Sequence, residues 1–239
     1  MRKIFLFCML IPVLGMSQNK TVISSFRVTP KPDKVVEFEK ALASHAQKYH
    51  SGDWKWRVFE VQSGPDYGAY NVSDGPSSWE AMDSRGDISA EHILDWNKNV
   101  MPLTTGTGTS SYSQYNADMS TVQLTDFTDK IVINHIYPKP GMIALATDLT
   151  RKLKKVWEAG NESVAVYNAI ASGEPQIVTV TRLKGGLKEL DPSNKKPIAE
   201  RYNAIYGDGA WNDYLKNFNE SVDRRWSELL FMRTDLSSK

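Results

Sequence analysis

The tripeptide Pro30-Lys31-Pro32 returns as Pro138-Lys139-Pro140, 108 residues later, and each copy stands between an alternating apolar segment and an apolar-periodic one. A repeat constrains a chain more than any composition does, because it sets the size of the folding unit. At the same offset of 108, Val35 matches Ile143, Tyr49 matches Trp157, Val58 matches Val166 and Asp83 matches Asp191. Ser63-Gly64 matches Ser172-Gly173 at 109, Trp96-Asn97 and Val100 match Phe218-Asn219 and Val222 at 122, and Asp118-Met119-Ser120 matches Asp235-Leu236-Ser237 at 117. The matches are collinear. They predict a tandem duplication with units at 18–122 and 123–239, the second carrying a short helical insertion near 194–207 that Pro197 opens and Gly207 ends.

Within the first unit, Val22, Ser24, Phe26 and Val28 alternate with Thr21, Ile23, Ser25 and Arg27, the period of a strand. Val35, Phe38, Leu42, His45 and Tyr49 then recur at steps of three and four, the stripe of an amphipathic helix. Trp54–Gln62 and Tyr67–Ser73 flank the turn residues Ser63-Gly64-Pro65-Asp66 and read as a hairpin. A second helix follows on Ile93, Trp96, Val100 and Leu103, and a last strand at Ser110–Tyr115. The second unit repeats the order through Ile131–Tyr137, Met142–Trp157, Val164–Ile170, Ile177–Arg182, Trp211–Arg225 and Glu228–Arg233. This is the β-α-β-β-α-β order of ferredoxin-like folds. Ile131, Ile133 and Tyr137 alternate with Val132 and Ile136, so both faces of that strand are apolar. One face packs on helices; the other is covered most economically by the sheet of the other unit. The expected class is α+β, with two ferredoxin-like repeats forming an intrachain pseudo-symmetric α+β barrel.

The N-terminus reads as an address. Arg2 and Lys3 precede the apolar run Ile4–Leu14, and Gly15-Met16-Ser17 supplies small residues, the pattern of a secretory signal peptide occupying 1–17 and cut after Ser17. The run is shorter than the about 20 residues that span a bilayer, so the expectation is an exported protein, periplasmic or extracellular, with no stable membrane insertion. Cys8, the one cysteine, falls within this leader, so disulfides are not expected. Without Arg2 and Lys3 the remainder carries 27 positive against 28 negative residues, which argues against a nucleic-acid partner.

The element order, the Pro-containing start of the first helix, the hairpin and the segment Ser78-Trp79-Glu80-Ala81-Met82 resemble the dimeric α+β barrel superfamily, which includes the antibiotic-biosynthesis monooxygenase-like and NIPSNAP-like proteins. The resemblance covers about residues 20–236. Haem-degrading members use an Asn on the first strand, a Trp and a His on the second helix. Here that set is split: Asn134 stands in a half whose second helix carries Tyr214, while Trp79 and His92 stand in a half whose first strand carries Phe26. The resemblance therefore speaks for a fold and argues against carrying over haem cleavage.

Candidate site residues follow from departures between the copies. His45 lies on the apolar stripe where the second copy has Leu153, which makes it either a hydrogen-bonded core histidine or a pocket wall suited to acid–base work. Asn134 replaces Phe26 on the helix-facing side of its strand; His135 faces the inter-sheet side and matches Arg27. Trp54, Trp56, Trp79 and Trp96, with His92 at the edge of the second helix, suit either core packing or a pocket for a flat apolar ligand. His45 and His50 stand five apart, which splays them around a helix, so no metal site is expected.

Three readings result, and the sequence identifies no cofactor. The first is an exported protein binding a small apolar or aromatic ligand in a helix–sheet pocket. The alternative is a cofactor-independent monooxygenase or isomerase-like enzyme with His45 as its acid–base group. A third is an assembly module; the oligomeric expectation is monomer or homodimer.

Overall fold

The structure is a computed structural model describing residues 19–86 and 88–239. The leader expected at 1–17, Cys8 included, lies outside the described residues.

Eight antiparallel strands close into a barrel. In chain order the elements are β1 (Val22–Val28), α1 (Val35–Tyr49), β2 (Arg57–Ser63), β3 (Tyr70–Ser77), α2 (Trp79–Ser84), α3 (Ala90–Asp95), β4 (Ser110–Tyr115), β5 (Lys130–Pro138), α4 (Ile143–Ala159), β6 (Val164–Ile170), β7 (Ile177–Arg182), α5 (Ile198–Tyr206), α6 (Ala210–Ser221) and β8 (Val222–Met232). Around the barrel the order is β1-β3-β2-β8-β5-β7-β6-β4. Each half lays its four strands in the same sequence, and the last strand of each pairs with the second strand of the other: β8 with β2, β4 with β6. Closure leaves no free sheet edge.

Alternation divides every strand between two environments. The outward side of β1–β3 meets α1 in a core of Phe38, Leu42, Ala46, Trp56, Val58, Tyr70, Val72 and Val100. The matching core on α4 holds Ala146, Trp157, Val164, Val166 and Ile177. The two segments following β4 and β8 cross over. Leu236, at the C-terminus, is buried in the first of these cores, and Met119 in the second. The Ser237 hydroxyl accepts from Val58 N–H at 3.0 Å, and that of Ser120 accepts from Val166 N–H at 2.8 Å.

Both Pro-Lys-Pro segments make the same turn: Lys34 N–H donates to Lys31 C=O and Met142 N–H to Lys139 C=O, each at 2.9 Å, just before α1 and α4. The short helix expected near 194–207 is α5, with Pro197 at its N-cap and Gly207, at φ 104°, ending it.

Three expectations need correction. Trp54 belongs to a 3₁₀ turn (Gly52–Trp54), so it does not share a strand face with Trp56 and Val58. The second helix of the first half is short, since α3 passes into a π turn at Trp96–Val100. Most consequentially, the last helix stops at Ser221 and β8 begins at once, placing Arg224, Arg225 and Trp226 in a strand. The ladder between β8 and β5, unbroken from Arg224 opposite Tyr137 to Phe231 opposite Lys130 and extended past a register shift to Val222 opposite Pro138, outweighs the helical periodicity of that stretch.

Candidate functional site

The inward side chains enclose a cavity of about 410 Å³ along the barrel axis. Its floor is apolar: Phe59, Ile131, Ile133, Val178 and Val180 all line it. One end is plugged by the connection between β4 and β5. There the buried Arg182 guanidinium donates to the carbonyls of Gln123 (2.6 Å), Leu124 (2.9 Å) and Asp126, so the loop's backbone acceptors are satisfied without water.

Polar groups gather toward the other end. Arg27 Nη2 donates to Glu228 Oε1 at 2.6 Å, and His135 Nε2 lies 3.2 Å from the same oxygen. His135 Nδ1 meets Gln176 Oε1 at 3.0 Å, and its ring stacks on Trp226 with centroids 3.9 Å apart. Asp66, on the β2–β3 turn, stands 3.5 Å from Arg27 Nε. Gly64 allows that turn to approach: at φ 109°, a Cβ on it would sit 2.9 Å from the Cβ of Glu228.

The Glu228 side chain is fully buried. Burial by itself would raise its carboxyl pKa, but the hydrogen bond from His135 and the charge and hydrogen bond of Arg27 outweigh burial and hold it below the usual range. Glu228 is therefore a buried anion held between Arg27 and His135. Two polar atoms of this group, Arg27 Nη1 and Glu228 Oε2, are buried without a hydrogen-bond partner. Their side chains line the cavity, so a ligand with matching groups can satisfy the two atoms where a small side-chain shift uncovers them.

Of the pocket residues expected from sequence, His135 lines this cavity; Trp54, Trp56, Trp79, Trp96, His92 and Asn134 do not. The cavity is thus in the barrel lumen and not between helix and sheet, because aromatic packing fills the helix side. Trp56 and Trp96 pack edge-on against Phe26, at 5.3 and 5.7 Å. Trp54 lies under the Arg85 guanidinium, Trp79 is exposed beside Tyr112, and Asn134 donates to Thr179 Oγ1 at 3.2 Å. His45 is buried outside the lumen, its Nδ1 2.7 Å from Asp95 Oδ2. Burial lowers its pKa in spite of Asp95.

Sequence reasoning missed Glu228, Trp226 and Arg224. Glu228 opened the strand expected at Glu228–Arg233, and its inward side follows from the parity that places Arg27 and His135 inward; Trp226 and Arg224 would have followed had β8 been started at Val222. It also missed His50, treated as one more turn of α1. The helix ends at Tyr49, His50 turns extended at φ −112° and ψ 106°, and its ring comes to lie among His45, His92 and Trp56.

No protein-family model and no curated protein matches the chain. Solved structures do. An anthrone oxidase-like protein superposes with a TM-score of 0.59 at 12% identity, covering 90% of this chain and 92% of its own. A candidate monooxygenase from Lactobacillus acidophilus NCFM gives 0.51 at 12% identity, covering 92% and 96%. Another from Fusobacterium nucleatum gives 0.50 at 13% identity, covering 88% and 91%. At such identities the likeness shows the fold, an α+β barrel matched over nearly the whole chain.

Proposed function

We propose that this protein binds a small, flat aromatic molecule in the barrel lumen, with the ring on the apolar floor and an oxygen substituent at the Arg27–Glu228–His135 group. The observation that carries the reading is the convergence of Arg27, His135 and Glu228 on one oxygen in the wall of an apolar-lined lumen, with Arg27 Nη1 and Glu228 Oε2 still unmatched. A ligand presenting both a carbonyl or phenolate oxygen and a hydroxyl satisfies the two at once. A cavity of about 410 Å³ falls within the range that metabolite-sized ligands occupy.

A second reading is catalytic. Glu228 holds His135 through Nε2, and the opposite nitrogen, Nδ1, acts as a general base on this reading once a ligand takes the place of Gln176 Oε1 beside it. A base there withdraws a proton from a phenol, or from a carbon flanked by carbonyls, and leaves an electron-rich anion open to molecular oxygen. The names carried by structures of the same fold, anthrone oxidase-like and monooxygenase among them, agree with this. On this reading His135 takes the acid–base role that sequence gave to His45.

We further read the chain as a tandem duplication in which each copy's tail caps the other's strand; the matched bonds Ser237–Val58 and Ser120–Val166 support this. Residues 1–17 act as an export leader on the same reading, which N-terminal sequencing of secreted protein tests.

The test of binding is a thermal-shift panel of hydroxylated aromatic ketones and carboxylates. A ligand at 100 times its Kd stabilises by about 2.7 kcal/mol. Stabilisation that Arg27→Met abolishes supports the lumen site. Failure of the whole panel, or binding indifferent to Arg27, overturns it. Oxygen consumption with a bound ligand, lost in His135→Asn, separates the catalytic reading from simple binding.

A further inference from the structure

The geometry points to a transition-metal site of three imidazoles, His45, His50 and His92, between α1, α3 and the outer face of the first-half sheet. One ring nitrogen from each comes within 4.8 Å of the others. His50 Nε2 and His92 Nε2 are 3.2 Å apart. Two nitrogens bound tetrahedrally at about 2.0–2.1 Å from a zinc ion stand roughly 3.3 Å from each other, so this pair already has the separation of two ligands of one ion.

The third imidazole is prepared for the same task. Asp95 Oδ2, 2.7 Å from His45 Nδ1, sets the tautomer that leaves the Nε2 lone pair free. Asp95 is itself held by Asn99 Nδ2 at 2.8 Å. A carboxylate behind an imidazole is the usual outer-shell partner of a metal-binding histidine, fixing ring orientation and raising basicity. His45 Nε2, the nitrogen that this tautomer leaves free, is buried without a hydrogen-bond partner, on a residue 1% exposed. His50 is locked by its stack on Trp56, with centroids 3.5 Å apart and planes at 20°.

Three imidazoles without thiolate select a borderline divalent ion of the zinc, cobalt or nickel class over the oxygen-seeking magnesium and calcium. Three protein ligands leave a fourth position for water or a small ligand, the pattern of an open site. His92 is the one of the three with partial exposure, so the ion and the fourth ligand enter on its side. This site is separate from the lumen, and its occupancy is independent of the ligand proposed there.

The experiment uses the full chain stripped with chelator and titrated calorimetrically with zinc ion, with cobalt(II) as a spectroscopic probe. The expected result is one equivalent bound, a raised melting temperature, and cobalt ligand-field bands of a four-coordinate site with three nitrogen ligands. His92→Gln, at the partly exposed position, weakens zinc binding at least about 100-fold, and Asp95→Asn, a positioning change, about 10–100-fold. His135→Asn in the lumen leaves it unchanged. Wild-type protein that binds no stoichiometric zinc, or His92→Gln protein that binds it as tightly as wild type, overturns the assignment. Should His92→Gln unfold, the wild-type stoichiometry and the cobalt spectrum decide alone: absence of tetrahedral bands overturns the site.

Discussion

Arg27 and Glu228 are 201 residues apart in the chain and 2.6 Å apart in space, and they meet across the barrel and not along a ladder. Two strands, β3 and β2, separate β1 from β8 in the sheet order. The ion pair therefore spans the lumen between the halves, with side chains 12% and 0% exposed.

A pair this buried is worth little against an apolar replacement, but a single deletion strands a charge. Arg27→Met should lose about 3–5 kcal/mol, and the double change to Arg27→Met with Glu228→Met should recover most of it. Urea unfolding of the two singles and the double checks this; additive losses contradict it.

The depressed pKa of Glu228 sets a pH window. Its ordinary value is 4.5 and its folded value is lower. The folded state thus binds this proton less readily than the unfolded chain, and the carboxylate contributes stability above pH ~4.5 that disappears as pH falls through the folded value. The stability gap between wild type and Glu228→Gln should be widest at pH 6–7 and should narrow progressively as pH falls below ~4.5. Melting temperatures of both proteins across that range give the answer, and a gap that stays constant would count against an ionised Glu228.

The lumen floor offers a separable change. Ile133→Trp adds bulk to a cavity of about 410 Å³, so the usual overpacking cost of about 1–3 kcal/mol should fall at its lower end. Aromatic ligand binding should be lost while the fold persists. Fluorescence titration beside circular dichroism distinguishes this from unfolding, and retained affinity places the ligand elsewhere.

The crossed tails should behave as equals. Ser237→Ala and Ser120→Ala each leave a strand N–H, that of Val58 or Val166, without its side-chain acceptor. Each should lose about 1–3 kcal/mol, the cost of an unmet buried donor. Parallel chemical denaturation of the two variants measures it; a loss in one and none in the other denies the equivalence of the tails.

The elements were largely legible. The stripe Phe38-Leu42-His45 predicted α1, and the alternation in Ile131–Tyr137 predicted both the strand and the opposite faces of Asn134 and His135. The site was legible only in part. Arg27 and His135 were placed on the inward side by parity, yet Glu228, at the start of its expected strand, was not joined to them. Trp226 and Arg224 were not found, because the residues before Glu228 carry a helix-like period that the β5 ladder overrides. His50 was misjudged for a related reason: a five-residue spacing separates side chains only while the helix continues.

What the chain determines locally is its periodicity, two for strands and about 3.6 for helices, because burying one face of each element requires it. The α+β order and the repeated turn at Lys31 and Lys139 are readable from that alone. Which groups then converge is decided by closure of the barrel and by where helices stop. Both depend on contacts between residues far apart in sequence, and no local pattern encodes that Arg27, His135 and Glu228 share one oxygen.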